Sequence, residues 1–280
     1  MMTATPFGEP GDAGREPGPV RSVDFDRPSA ARRYAYWMGG KDHFGPDRKS
    51  GDRIAEVFPD IAVAVEENRR FLRRAVSFLA EAGVRQFLDI GCGMPSPPNV
   101  HEIAQDADPS SRVVYVDHDP VVLAHARALM ADWLSGLVHV IDADLRNPHA
   151  ILADAGVRVL DFDQPVALLL VAVLHFVDDA DDPYGILARL IEALPTGSYV
   201  AVSHATFDPL PRDVATHLGR QDGHGPFHAR TRSEVEGFFA GLDLVDPGLV
   251  STVEWQPHRL PHPQASPQQA IAYAGVGRVR

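Results

Sequence analysis

The residues best suited to chemistry follow short apolar segments of the chain. The segment QFLDI contains Asp89 and runs into the turn Gly91-Cys92-Gly93. Two glycines between a strand and a helix let a ligand approach the backbone, and the helix N-terminus beyond them favours negative charge. A carboxylate two places before the first glycine would repel a pyrophosphate, but it could accept hydrogen bonds from an ammonium group. The pattern therefore favours a zwitterionic aminoacyl ligand over a phosphate.

A dinucleotide-binding turn is the competing interpretation of these glycines. Its fingerprint is G-x-G-x-x-G/A, with little side chain at the sixth position. Here the sixth position is Ser96, inside the proline-rich segment MPSPPN. A nicotinamide-dependent oxidoreductase is therefore disfavoured, and quenching of protein fluorescence by reduced nicotinamide dinucleotides would be needed to revive it.

Further carboxylates follow the next two apolar segments. Asp117 ends VVYVD, where a carboxylate is suited to bind vicinal ribose hydroxyls; the alternative is a solvated turn residue, as Asp119 could be. Asp144 and Leu145 follow the third segment, where the aspartate could accept from an adenine amine while the leucine packs on the purine. Asp142 competes with Asp144, and the strand register decides which of them faces inward.

Two histidines occupy comparable positions later in the chain. His175 follows the apolar run 166–174, and His204 follows the predicted strand 199–203. A histidine can act as a base near neutral pH, although a histidine at a strand end can equally be a hydrogen-bonded structural residue. His224 and His228 are four residues apart, but Gly225 and Pro226 between them prevent a helical zinc pair. We expect no metal site.

The elements that must position these residues alternate along the chain. Apolar segments predict strands over 86–90, 113–116, 138–141, 166–174 and 199–203, with helices between them. Three later strands, over 242–245, 250–255 and 270–276, have few helices between them. The sequence therefore predicts an α/β fold, a doubly wound, mostly parallel sheet with an antiparallel late strand.

The first part of the chain has a different composition. Residues 1–20 are rich in proline and glycine and are expected to be a disordered leader, and residues 21–83 an N-terminal helical lid section. Residues 84–280 then form the sheet-containing domain. Helices are predicted over 29–40, after Pro46 and over 61–82; the first could be a lid or only a packing helix that stops at two glycines.

Composition narrows the classes of protein that this chain can be. Its 280 residues carry 26 Lys and Arg against 38 Asp and Glu, a net charge of −12, which disfavours general binding to nucleic acid or an anionic membrane. The longest apolar run, 166–174, is too short to span a bilayer. A single cysteine, Cys92, and no basic apolar leader predict a cytoplasmic protein.

Taken in order, the segments LDIGCG, VVYVDHDP, IDADL and ALLLVAVLHF resemble the class I, Rossmann-like S-adenosylmethionine-dependent methyltransferases. This resemblance covers about residues 80–280. The segments SAARRYAYWMGGKDHFGPDR, ENRRFLRRAV and LPTGSYVAVSHAT further resemble a bacterial subfamily long described only as a domain of unknown function. The resemblance implies a seven-stranded sheet, S-adenosylmethionine as cofactor and S-adenosylhomocysteine as product.

The resemblance also implies roles for individual residues. Asp89, Gly91, Cys92 and Gly93 would surround the amino-acid part of the cofactor, Asp117 would hold its ribose, and Val173 would line the methionine side. His118, Asp144 and Leu145 would lie beside the adenine. Tyr34 and Lys41 belong to the subfamily motif and would cover the cofactor or the substrate, with Asn68, Arg69 and Arg73 as further candidates.

The resemblance finally implies a reaction. His175 lies where class I enzymes present a residue to the transferred methyl, so it is the candidate catalytic residue. The chain lacks the Asn/Asp-Pro-Pro-aromatic motif of enzymes that methylate amino groups of nucleic acids. We therefore expect a methyltransferase with a small-molecule acceptor and no nucleic-acid or membrane partner; the alternative is a non-catalytic S-adenosylmethionine-binding regulatory or interaction protein.

Overall fold

The computed structural model of the chain describes residues 23–129, 136–219, 226–261 and 265–280. The predicted leader, residues 1–20, lies outside these ranges, as does His224. Within them, no helix is both long and apolar enough to cross a membrane. The same ranges contain no group of three or more metal-ligating side chains that could hold an ion.

A single mixed sheet forms the centre of the fold. Its strands are β1 (Gln86–Ile90), β2 (Arg112–Asp117), β3 (Val138–Asp142), β4 (Ala167–Val171), β5 (Tyr199–Ala205), β6 (Asp243–Leu244), β7 (Val250–Ser251) and β8 (Ala272–Arg278). Their order is β3-β2-β1-β4-β5-β8-β6, and β7 also pairs with β8. The first five strands are parallel, and β8 runs antiparallel to its neighbours. The predicted fold class is confirmed, with eight strands rather than the seven that the resemblance implies.

Helices cover both faces of this sheet. They are α1 (Ala30–Trp37), α2 (Gly45–Val57), α3 (Ile61–Glu81), α4 (Val100–Ala107), α5 (Pro120–Leu129), α6 (Pro148–Ala153), α7 (Pro183–Glu192), α8 (Arg212–Gly219), α9 (Arg232–Gly237) and α10 (Pro267–Ala270). The sequence did not predict α8 and α10. Both begin at or just after a proline, which suits the first turn of a helix as well as it suits a loop.

The apolar core lies in two layers, one on each face of the sheet. Successive side chains of β1 pack into opposite layers, Leu88 into one and Phe87 into the other. Phe71 and Leu79 of α3 are fully buried in the layer that contains Phe87. Helix α3 therefore packs directly on the sheet, although its residues fall inside the predicted lid section 21–83; that section as a unit stays a prediction.

The ends of two strands differ from those predicted, which changes the setting of both histidines. β4 stops at Val171 because Ala172 takes a left-handed φ of 56°, and residues 174–176 form a 3₁₀ turn. The predicted strand to residue 174 was therefore too long, and His175 lies in the turn beyond it. β5 extends through Ala205, so His204 lies inside that strand rather than after it.

Candidate active site

The carboxyl ends of the parallel strands open onto a cavity of about 630 Å³. This volume lies within the range of about 300–1,000 Å³ that is typical of small-molecule sites. Ten of the predicted site residues line it: Tyr34, Asp89, Gly91, Cys92, Gly93, Asp117, His118, Asp144, Leu145 and Val173. We call this space the strand-end cavity. Asp144 rather than Asp142 faces it, whereas Lys41 is exposed and does not line it.

The glycine turn after β1 is fixed by its neighbours on both sides. Gly91 has a φ of 75°, and a Cβ placed on it would lie 2.5 Å from Cγ2 of Val173. The amides of Gly91 and Cys92 both donate to the Val116 carbonyl, at 2.8 and 3.2 Å. Only glycine allows this close approach of the β1 turn to the segment after β4, which closes one wall of the strand-end cavity.

Asp117 is buried at the end of β2 and already accepts several backbone hydrogen bonds. Its Oδ2 accepts from the Gly93 amide at 3.0 Å, and its Oδ1 accepts from the amides of His118 at 2.7 Å and Asp119 at 3.0 Å. Burial raises the pKa of Asp117, and these backbone bonds oppose the rise. A carboxylate offers about four acceptor positions, so about one remains for a ligand.

Asp89 is the second buried carboxylate of the strand-end cavity, with only 4% of its surface exposed. Burial raises its pKa to about 7; the positive charge of Arg69 opposes this rise, and Asp117 adds to it. Arg69 comes from α3 and donates from Nη2 to the Ser96 carbonyl at 2.6 Å. Its buried Nε has no hydrogen-bond partner among the described residues. The site thus places a carboxyl group and a guanidinium with a free donor against one cavity.

Asn68 and Arg69, proposed from the sequence only as further candidates, both line this cavity, whereas Arg73 does not. Their helical spacing gives no sign of this, because it fits a solvated helix face equally well. What brings them to the cavity is the packing of α3 on one face of the sheet. That packing depends on contacts far apart in the sequence, such as Phe71 against Trp255.

The third strand end carries an ion pair. Asp144 accepts from Arg146 Nε at 3.0 Å and from Nη2 at 2.6 Å, and both residues line the strand-end cavity. Partial burial raises the pKa of Asp144, but the hydrogen bonds from Arg146 outweigh it and the net pKa is lowered. Asp144 is therefore ionised at neutral pH. His118 is exposed at the rim, and Leu145 is buried beneath it.

The N-terminal helix α1 forms the wall opposite the strand ends. Ser29 Oγ donates to Asp119 Oδ2 at 2.6 Å, which ties the start of α1 to the start of α5. The hydroxyl of Tyr34 donates to the Val65 carbonyl at 2.7 Å and accepts from Asn68 Nδ2 at 3.1 Å. These bonds hold α1 over the cavity at its start and at its middle.

A smaller cavity of about 170 Å³ adjoins the first. Tyr34, Asn68, Ala172 and Phe176 line both. His175 and His204 line only the smaller one, which we call the aromatic cavity after Trp37, Phe58, Phe176, Phe207 and Phe227 in its walls. No local sequence pattern indicates this cavity, because its walls come from segments scattered between residues 30 and 272.

Both histidines are neutral, and their hydrogen bonds set their tautomers. Arg230 donates to His204 Nε2 at 2.9 Å, so His204 carries its proton on Nδ1 and donates it to the Ala205 carbonyl at 2.8 Å. His175 Nδ1 accepts from the Ala205 amide at 3.3 Å, which leaves its proton on Nε2. Burial lowers the pKa of His204 to about 4, and that of His175 well below its usual value.

Strand order, glycine turn and acidic strand ends are together those of a class I S-adenosylmethionine-dependent methyltransferase. A family model described as S-adenosyl methyltransferase matches residues 17–280. The chain belongs to this family. It is therefore a methyltransferase, and S-adenosylmethionine is its cofactor.

Two solved structures closely resemble this chain. A DUF574 family protein from Streptomyces avermitilis MA-4680 is 41% identical, with a TM-score of 0.85 over 92% of this chain and 100% of its own. A candidate methyltransferase from Thermobifida fusca YX is 39% identical, with a TM-score of 0.84 over 92% of this chain and 97% of its own. None of the curated proteins matches the chain significantly.

Proposed function

We propose that this enzyme binds S-adenosylmethionine in the strand-end cavity and methylates a small molecule held beside it. The observation that carries the proposal is the buried carboxyl of Asp89 near Arg69, whose Nε lacks a partner among the described residues. Opposite charges so arranged suit the ammonium and carboxylate of an amino acid. A dinucleotide offers no ammonium group to match Asp89.

The other lining residues fit the rest of the cofactor. When bound, S-adenosylmethionine supplies an electrophilic methyl group on a sulfonium. Gly91 and Gly93 let its amino-acid part approach the backbone, and Val173 bounds that space. Asp117 uses its remaining acceptor position for a ribose hydroxyl.

The adenine end of the strand-end cavity has three candidate contacts. Leu145 supplies an apolar surface for the purine, and Asp144, ionised and paired with Arg146, supplies acceptors for its amine. His118 lies at the exposed rim, where its ring can flank the adenine.

A small-molecule acceptor is supported by the aromatic cavity, whose volume of about 170 Å³ suits one small group. The net charge of −12 likewise disfavours a nucleic-acid substrate. The single cysteine supports a location in the reducing cytoplasm. The non-catalytic alternative gains no support from the comparisons.

Isothermal titration with S-adenosylhomocysteine tests the proposal. We expect one molecule bound per chain, with weaker binding for Asp89→Ala and unchanged binding for Asp142→Ala, whose carboxylate is exposed and outside the cavity. No binding by the wild-type protein at high micromolar ligand would contradict the proposal.

A further inference from the structure

We infer that the aromatic cavity holds the methyl acceptor, and that this acceptor is a single aromatic ring carrying an oxyanion that accepts a hydrogen bond from His175 Nε2. The inference rests on the proposed function and names its substrate class. Four features carry it: the size and lining of the cavity, its junction with the strand-end cavity, the protons on the groups that face it, and the buried charge next to its histidines.

Size limits the acceptor to about one ring. A cavity of about 150 Å³ with an apolar lining accommodates benzene, and the aromatic cavity measures about 170 Å³. Aromatic rings surround it: Phe176 and Phe227 lie edge-on with centroids 5.9 Å apart, and Phe207 stacks on Phe227 at 6.0 Å. Such walls favour a flat aromatic guest over a flexible or strongly hydrated one.

The junction of the two cavities places the ring beside the transferred methyl group. Tyr34 and Asn68 line both cavities, and a directed chain of hydrogen bonds fixes them. Ser203 Oγ donates to Asn68 Oδ1, Asn68 Nδ2 donates to the Tyr34 hydroxyl, and this hydroxyl donates to the Val65 carbonyl. Both hydroxyl groups in this series of hydrogen bonds already donate their protons to a partner within it. Burial also raises the pKa of Tyr34. The chain therefore positions the junction and takes no proton from the acceptor.

The histidines cannot take that proton either. His175 Nδ1 is occupied by the Ala205 amide, so Nε2 carries the ring proton and acts as a donor. His204 uses both of its nitrogens, one toward the Ala205 carbonyl and the other toward Arg230. Among the described residues, the wall of this cavity thus holds a donor and no base, which selects an acceptor atom that needs no deprotonation there.

The positive charge buried next to the two histidines favours an anionic ligand in the aromatic cavity. The guanidinium of Arg230 is 4% exposed; it bonds His204 and the carbonyls of Leu174 and Val177, and it pairs with the exposed Asp179. Near this segment, Asp178 also pairs with His228 at 3.2 Å and Glu234 acts on His204, while the buried Arg33 lines the cavity from α1. The nearest buried charge to His175 is thus positive, because water screens Asp179 and Asp178.

The reaction balances without a side-chain base. A phenol loses its proton to water as it binds as phenolate. A lone pair of the phenolate oxygen forms the O–CH₃ bond while the C–S bond of the sulfonium breaks. The C–S electron pair stays on sulfur, which leaves neutral S-adenosylhomocysteine and an aryl methyl ether.

The test uses para-substituted phenols of different acidity, titrated into the protein saturated with S-adenosylhomocysteine. We expect binding to strengthen with pH up to the pKa of each phenol, so the midpoint moves from phenol to phenol. The absorption band of 4-nitrophenolate should shift on binding, and cyclohexanol should not bind. A midpoint at one fixed pH for every phenol, or no phenol binding at all, would overturn the inference.

Variants separate this inference from the proposed function. Ala272 lines only the aromatic cavity, so Ala272→Leu should abolish phenol binding and leave S-adenosylhomocysteine binding intact; the exposed Ala240→Leu is the control. His175→Leu should weaken phenolate binding about tenfold or more, and His175→Gln, which keeps a donor, should recover most of it. Full phenol affinity in Ala272→Leu would contradict the inference. Failure of the wild-type protein to bind S-adenosylhomocysteine would instead contradict the proposed function.

Discussion

The two adjoining cavities differ in kind. The strand-end cavity is charged: two buried carboxyl groups, Asp89 and Asp117, meet Arg69 there, and Asp144 pairs with Arg146 at its far end. The aromatic cavity is walled mainly by rings and by two neutral histidines, with the buried Arg33 as its one charged lining residue among those described. Charged walls suit the zwitterion and sugar of the cofactor, whereas apolar walls suit an uncharged ring surface. Under the proposed assignment, cofactor and acceptor are recognised by separate chemistry, so changes in one cavity should leave the ligand of the other largely unaffected.

The largest effect is expected from removing the wall that both cavities share. Deleting residues 1–45 removes α1 and should abolish binding of S-adenosylhomocysteine, because Tyr34 and Ser29 are lost; deleting residues 1–20 should leave it intact. The sheet should stay folded in both, since α3 supplies its core contacts. Calorimetry with circular dichroism checks this. Normal binding by the longer truncation would show that α1 is no cover.

Loss of Arg230 should lower the stability of the fold through its contacts beside the aromatic cavity and leave the strand-end cavity intact. Arg230→Met leaves His204 Nε2 and two carbonyls without their donor, which should lower the free energy of unfolding by about 3 kcal/mol. Binding of S-adenosylhomocysteine should barely change. Urea denaturation measures the loss, with the exposed Arg212→Met as control. An equal loss in both variants would contradict a specific role for Arg230.

Gly91 offers the corresponding test on the cofactor side. Gly91→Ala should weaken S-adenosylhomocysteine binding roughly 100-fold, because the new Cβ is strained at positive φ and displaces Val173. Gly83→Ala is the matched control: its φ of 92° imposes similar strain, but nothing lies within 4 Å of the added atom. Calorimetry compares them. Similar affinities in the two variants would show that the contact with Val173 is unimportant.

Asp117 should contribute less, because only about one of its acceptor positions is open. Asp117→Ala should weaken cofactor binding about tenfold or more, the value of a charge-assisted hydrogen bond. Asp142→Ala changes the residue paired with Asp117 in the register of β2 and β3, outside the cavity, and serves as control. Unchanged affinity in a folded Asp117→Ala would reject the ribose assignment and redirect attention to Asp119.

The smallest effect is expected from Asp89, as a dependence of the affinity for S-adenosylhomocysteine on pH. Burial raises the pKa of its carboxyl to about 7, so below that pH the group must lose a proton before it can pair with an ammonium. Affinity for S-adenosylhomocysteine should therefore rise by up to about tenfold per pH unit and level off above pH 7. Because an unfolded aspartate titrates near pH 4, the same group makes the ligand-free fold less stable as pH rises from about 4 to about 7. Asp89→Asn should remove both trends, and an unchanged slope in that variant would contradict this assignment.

Most carboxylates of the strand-end cavity could be predicted from local sequence pattern. Asp89, Asp117 and Asp144 each follow an apolar strand, and the carboxyl ends of parallel strands meet at one edge, so their convergence follows from local pattern. Asp142 and Asp144 both fit that pattern, and only the strand register decides that Asp144 faces the cavity. Lys41 matched a motif, but it lies on the exposed side of the turn after α1.

The aromatic cavity could not be predicted from local sequence pattern. Its rings come from α1, the residue after α2, the segments after β4 and β5 and the segment before α9, with no shared spacing. The role of His175 depends on the amide of Ala205 on another strand, because that amide decides which nitrogen carries the proton. The left-handed turn at Ala172, which sets where His175 lies, has no signal in an unbroken apolar run.

A crystal structure with S-adenosylhomocysteine bound is the most direct test of the central claim. The account predicts the amino group at Asp89, the ribose at Asp117 and the sulfur facing the junction formed by Tyr34 and Asn68. The aromatic cavity would then remain open beside the sulfur. A sulfur atom turned away from that junction, or a ligand bound outside the strand-end cavity, would contradict the account.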